Sequence, residues 1–159
     1  MPVKPIPAGY HSVTPYLAIR QATDAIEFYK RALGAMEIYR MPTPDGSSLL
    51  HAELHIGGAP IYLVDEFLEV PSAARAPKTL GATTASIHLN IDDDIDDAFN
   101  RAAAAGMTVL IPLADMFWGD RFGKLQDPFG HQWTMSKQIR KLTPEQVAEA
   151  AKAAFAPKS

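Results

Sequence analysis

Apolar and polar positions alternate along the first part of the chain, pass into a helical period, and then alternate again. Pro15, Leu17 and Ile19 alternate with Thr14, Tyr16 and Ala18, which predicts a strand over Thr14–Ile19. From Thr23 to Leu33 the apolar positions fall at helical spacing, through Ile26, Tyr29 and Leu33 with Phe28 beside them, and Gly34 stands where the helix should stop. Strands are then predicted at Met36–Met41, Leu49–Ile56 and Ile61–Val64, separated by turns at Pro44-Asp45-Gly46 and Gly57-Gly58. Residues 69–84 have no period and read as a linker.

The pattern then restarts. Ser86–Ile91 alternates like the first strand, and Asp96–Ala105 is an alanine-rich helix ended by Gly106. Strands follow at Thr108–Ile111, Phe122–Gln126 and Gln132–Ser136. One offset of 72 residues relates Leu17 to Leu89, Asp24 to Asp96, Gly34 to Gly106 and Gly58 to Gly130. Strand, helix and glycine stop matching in one register indicate a duplicated βαβββ unit. The expected class is α+β, with module one over 13–68, the linker over 69–84 and module two over 85–138. An N-terminal extension (1–12) precedes them. A C-terminal helix (139–159) follows, opened by a capping box at Thr143-Pro144-Glu145-Gln146.

Composition narrows the function classes. Of the 159 residues 47% are hydrophobic and 21% charged, the profile of an ordinary globular domain. A formal net charge of −3 offers no global footprint for nucleic acid. The absence of cysteine excludes disulfides and thiolate metal sites and fits a reducing compartment. Met1–Ala8 lacks a signal-peptide pattern and no apolar run is long enough to span a bilayer. A cytoplasmic protein that engages neither membrane nor nucleic acid is expected.

Period-two alternation sorts the strands into two faces. Ile87, Leu89, Ile91, Leu50, Ala52, Leu54, Ile56, Ile61, Leu63, Trp133 and Met135 are expected beneath the helices. The open face then collects Thr14, Tyr16, His51, Glu53, His55, Tyr62, Ser86, His88, Gln132 and Thr134. It mixes aromatics, histidines and one carboxylate and holds no lysine or arginine, which suits a cavity wall better than a solvated surface.

The duplicated plan, Ala25-Ile26-Glu27-Phe28-Tyr29 and Asp127-Pro128-Phe129-Gly130-His131 together resemble the vicinal oxygen chelate superfamily, which includes glyoxalase I, extradiol dioxygenases and bleomycin resistance proteins. Pro15-Tyr16-Leu17, His51-Ala52-Glu53-Leu54 and Phe117-Trp118-Gly119-Asp120-Arg121 are most similar to its PhnB-like branch. The resemblance covers about Val13 to Gln138. It implies two βαβββ modules pairing into a curved mixed sheet around a cavity, and a homodimer. It also implies that the superfamily's metal positions correspond to Thr14, Tyr62, Ser86 and Thr134. None of these is a credible ligand for a divalent transition metal. Glyoxalase and dioxygenase chemistry are therefore not expected.

Two readings lead, ahead of a purely structural or interaction role that would require no accessible cavity. In the first, the chain binds a small molecule without a cofactor, through Tyr16, His51, Glu53, Tyr62, His88, Trp118, Arg121 and Thr134. Trp118 would then stack on the ligand and Arg121 would pair with an anionic group, against the alternative that Trp118 plugs the core rim and Asp120 holds Arg121. In the second, His51, Glu53 and His88 ligate a divalent metal in an isomerase, lyase or epimerase. Glu53 and His88 are also the candidate acid–base pair should the site be catalytic without metal. His131 is read as a surface or turn-stabilising residue, and Asp92-Asp93-Asp94 as a helix N-terminal cap.

Overall fold

A computed structural model describes residues 5–157; the first four and last two residues of the expected terminal segments lie outside the described residues. The first module runs β1 (Tyr16–Ile19), α1 (Ala22–Leu33), β2 (Met36–Pro42), β3 (Leu49–Ile56) and β4 (Ala59–Asp65). A single helical turn, α2 (Pro77–Leu80), interrupts the segment read as a linker. The second module repeats the plan as β5 (Ser86–Asn90), α3 (Ile95–Ala105), β6 (Thr108–Asp115), β7 (Asp120–Gln126) and β8 (Gln132–Gln138), and α4 (Pro144–Ala154) follows. The sheets have the equivalent orders β1-β4-β3-β2 and β5-β8-β7-β6, with only the β1–β4 and β5–β8 pairs parallel. This is the expected α+β, paired βαβββ architecture.

Local chemistry accounts for the boundaries. β1 begins at Tyr16 rather than Thr14, where the proline at position 15 lacks a ladder N–H and contributes only its carbonyl, to Tyr62 N at 2.9 Å. Gly57 and Gly58, with φ of 57° and 80°, form the two-residue turn that closes the β3–β4 hairpin between Ile56 and Ala59. Asp94 caps α3 by accepting from Asp97 N at 3.0 Å, as the acidic string implied. α1 has no side-chain cap of its own. Asp65, at the far end of β4, accepts from Ala22 N at 2.8 Å and from Leu49 N at 2.7 Å, so tertiary structure supplies the cap. α2 escaped the sequence reading because four residues cannot display a period.

The face assignment holds with two corrections. Lys124 stands beside Thr134 on the open face of the second sheet, which was expected to hold no lysine. Trp133, Met135, Leu63, Leu54 and Ala52 are buried under the helices as expected, but Leu50 is 41% exposed and its neighbour Leu49 is buried instead. The β2–β3 register slips between Met41 and Pro42, which pair with His51 and Leu49. This irregularity reverses the parity of the strand's first residues.

The two sheets do not pair edge to edge; the modules meet through α1 and α3 and share one core. Its polar centre is Asp127. One carboxylate oxygen accepts from Tyr29 Oη at 2.6 Å and Trp133 Nε1 at 2.8 Å, and the other from the backbone of Phe129 at 2.9 Å and His131 at 3.0 Å. Burial first, and then Asp127, hold the Tyr29 phenol well above the ordinary tyrosine range. His131 is buried rather than at the surface, with Nε2 at 3.0 Å from Ala18 O in the other module. The Asp127–His131 segment is therefore the fastening between halves as well as a turn.

Candidate functional site

The open face of the first sheet is built by cross-strand register. Tyr16 stands beside Tyr62, Tyr62 beside Glu53, and Glu53 beside Tyr39, so one row crosses all four strands. His51 and His55 flank Glu53 along β3, and Met41 and Met36 stand opposite them on β2. The ring of His51 touches three tyrosines, with centroids 4.9 Å from Tyr62, 5.5 Å from Tyr16 and 6.5 Å from Tyr39. Tyr16 and Tyr62 meet edge-on at 5.6 Å. The rim is open, with Tyr16 53% and Tyr39 52% exposed, while Glu53 at the floor is only 9% exposed.

Glu53 carries the polar chemistry of this face. Tyr10 donates its hydroxyl to Glu53 Oε1, and His55 Nε2 lies 3.2 Å from the same oxygen. Oε2 has no hydrogen-bond partner among the described residues, yet no buried side-chain polar atom there is left orphaned, so this oxygen is reachable from outside. The hydrogen bond to Glu53 is the main reason that the Tyr10 phenol is pushed up to about 12. Tyr16 is raised as well, first by burial and then by Tyr62. His51 Nδ1 is 2.9 Å from Tyr16 Oη. Sequence reasoning missed Tyr10, which precedes the first strand with no pattern to mark it, and Tyr39, whose face depends on the irregular β2 register.

The remaining expected site residues fall elsewhere. His88 and Thr134 stand together on the open face of the second sheet, with Nδ1 of His88 2.7 Å from Thr134 Oγ1 and Nε2 3.2 Å from Ser136 Oγ. Trp118 lies beside the same face, its ring 5.6 Å from Phe122, which stacks at 6.5 Å on His88. Phe117, next to it, packs against Phe155 beyond the end of α4 at 5.7 Å. Asp120 and Arg121 belong to β7 rather than to a loop. Arg121 turns to the helix side, held by Asp96 at 2.6 Å and Asp115 at 2.8 Å rather than by Asp120.

Glu53 and His88 are therefore on different sheets. The set His51, Glu53 and His88 does not come together within one chain, and no group of three potential ligands forms a metal cluster among the described residues. The superfamily metal positions do not fit a metal either. Their donors are hydroxyls, Tyr62 is packed among aromatic rings, and the Thr134 hydroxyl is engaged by His88. A separate cleft of about 740 Å³ runs between the modules, past Gly34, Ile56, His88, Asp92 and Arg101. No phenylalanine, tyrosine or tryptophan lines it. Its aspartate string is occupied in capping α3 and in offering the Asp92 and Asp93 carbonyls to Lys137 Nζ.

Comparison with known proteins places this geometry in context. The profile of the Glyoxalase/Bleomycin resistance protein/Dioxygenase superfamily matches residues 10–135. An uncharacterised protein of Mycobacterium bovis is 39% identical over 140 residues, covering 87% of this chain and 91% of its own; its Mycobacterium tuberculosis counterpart matches equally, over 81% of its length. Among solved structures, TioX from Micromonospora superposes with a TM-score of 0.61 at 26% identity, over 84% of this chain and all of its own. The PhnB protein from Bacillus cereus superposes at 0.60 with 18% identity, over 80% and 99%. The fosfomycin resistance protein FosX from Listeria monocytogenes, solved with Mn(II) and sulfate, superposes at 0.59 with 16% identity, over 89% and 97%. These last two likenesses are of fold.

Proposed function

Starting from the premise that this chain belongs to the Glyoxalase/Bleomycin resistance protein/Dioxygenase superfamily, we propose that it binds a small molecule on the open face of its first sheet, without a metal. The observation that carries this reading is Glu53, a mostly buried carboxylate at the floor of an aromatic surface, with one oxygen held by Tyr10 and His55 and the other reachable. A sheet surface meant only for water has no reason to bury its one acid among tyrosines. Tyr16, His51, Glu53 and Tyr62 form the core of the site, and Tyr10 and Tyr39 join them. Within the superfamily we place the chain in the PhnB-like branch. The motif strings around Tyr16, His51 and Trp118 support this, as does the fold likeness to the Bacillus cereus PhnB protein.

We further infer a cytoplasmic homodimer. The edge strands β2 and β6 leave Met36, Ile38, Val109, Leu110 and Ile111 exposed, apolar surface that a second copy is suited to cover. Sedimentation velocity should find a two-chain particle that Ile38→Lys dissociates.

The binding reading is tested by ligand-observed NMR against a metabolite and antibiotic panel, with elemental analysis of the protein after exposure to zinc, nickel, manganese and ferrous iron. Hits displaced by Tyr62→Ala and Glu53→Gln, with metal uptake far below stoichiometric, are expected. Stoichiometric uptake lost in Glu53→Gln would overturn the reading in favour of a metal-dependent isomerase, lyase or epimerase, with His88 supplied to His51 and Glu53 by another copy.

A further inference from the structure

We propose that the open face of the first sheet selects organic cations, specifically small ammonium compounds that place their charged nitrogen against Glu53, on the surface that Tyr16, Tyr39 and Tyr62 form around His51. This rests on the binding reading above and names the ligand chemistry that the same face should prefer.

The argument begins with what surrounds Glu53. Among the described residues its partners are a phenol and an imidazole, and none of the described lysines or arginines forms an ion pair with it. Arg40, the nearest cation by sequence on β2, pairs in register with Ala52 on the helix side and is bound to Glu37 and Glu27 there. Among the described residues the face thus carries an acid without a fixed counter-charge from lysine or arginine, and a carboxylate in that state favours a cation that arrives with the ligand.

The aromatic rings point to the kind of cation. Tyr16, Tyr62 and Tyr39 surround His51 with neighbouring rings mostly edge-to-face, so the surface presents both ring faces and edges. Electron-rich ring faces attract a weakly hydrated ammonium, and rings exposed on the same face as a carboxylate favour methylated amines over neutral ligands. Met41 at the rim adds soft, adaptable contact for alkyl substituents.

The second sheet provides an internal comparison. The row Tyr16–Tyr62–Glu53–Tyr39 is matched topologically by His88–Thr134–Lys124–Ile111. Duplication placed a lysine where the first module has its glutamate, and an imidazole, a hydroxyl and an aliphatic side chain where it has tyrosines. The acidic aromatic character therefore belongs to the first face alone.

The experiment compares choline with its neutral carbon isostere, 3,3-dimethylbutan-1-ol, by chemical-shift titration of the isotopically labelled full chain. Choline should bind about tenfold more tightly, with perturbations centred on Tyr16, Glu53 and Tyr62. Glu53→Gln should remove most of that preference, weakening choline far more than the alcohol. Tyr62→Leu should weaken choline more than the alcohol, and Lys124→Met should leave the preference intact. Equal affinity of the wild-type chain for the two probes at this face overturns the cation inference but leaves the binding reading standing. If neither probe perturbs these residues, both fall. A preference that survives in a folded Glu53→Gln variant also overturns the assignment to Glu53.

Discussion

Replacing Asp127 by alanine tests whether the two modules are held together by a buried polar fastening or by apolar contact alone. The substitution removes the acceptor for four donors at 2.6–3.0 Å, namely the Tyr29 hydroxyl, the Trp133 indole and the backbone N–H groups of Phe129 and His131. Tyr29 and Trp133 are fully buried, so their donors have little access to water. Each orphaned buried donor costs about 1–3 kcal/mol, and donors sharing one oxygen do not add in full. The expected loss is about 3–5 kcal/mol, a large part of the roughly 5–15 kcal/mol that holds a domain folded. Urea denaturation followed by tryptophan fluorescence measures it directly. Thermal melting should fall by about 2–4 °C per kcal/mol for a chain of this size. Asp127→Asn keeps one carbonyl-type oxygen but sets an amide against the Trp133 donor, so about 1–3 kcal/mol is expected. Tyr29→Phe removes a donor and leaves the carboxylate bound by Trp133, so its effect should be smaller, near 1 kcal/mol. A stable Asp127→Ala chain, within about 0.5 kcal/mol of wild type, would refute the reasoning.

Other measurements probe single features. The Arg40 hydrogen bond, with Lys30 adding to it, lowers the Glu37 carboxyl from its ordinary 4.5 to about 2, so its stabilisation is complete above the ordinary value and disappears as the pH falls towards 2. Glu37→Gln should cost at most about 1 kcal/mol at pH 7, because the pair is partly solvated, and nothing near pH 2; a loss independent of pH would contradict this. Gly130 has φ of 94°, and a Cβ there would meet Pro77 Cβ at 2.8 Å, so Gly130→Ala should lower stability by about 1–3 kcal/mol in a thermal melt; an unchanged melt would mean that α2 shifts freely. In an NMR-monitored titration the Tyr10 ring should ionise near 12 in the wild type and closer to 10 in Glu53→Gln, whereas equal midpoints would show that its partner is not Glu53.

The sequence by itself determined the duplicated plan. Alternation and helical period are written in neighbouring residues, and the glycine stops of α1 and α3 repeat at one offset. The same alternation was enough to put His51, Glu53 and Tyr62 on one face, because side-chain direction along a regular strand follows from parity. What it could not decide were features set by partners distant in the chain. The slip between β2 and β3 turned Leu50 outward and Leu49 inward. Asp65 caps a helix that begins 43 residues before it. Arg121 was committed to Asp96 and Asp115 on the helix side. Tyr10 reached Glu53 from a segment without pattern, and His131, one residue in an unremarkable turn, was buried against the other module. Only the tertiary structure placed Glu53 and His88 on separate sheets, because the packing of α1 on α3 sets how the modules meet. That packing depends on the shapes of both helices at once, which no local pattern records.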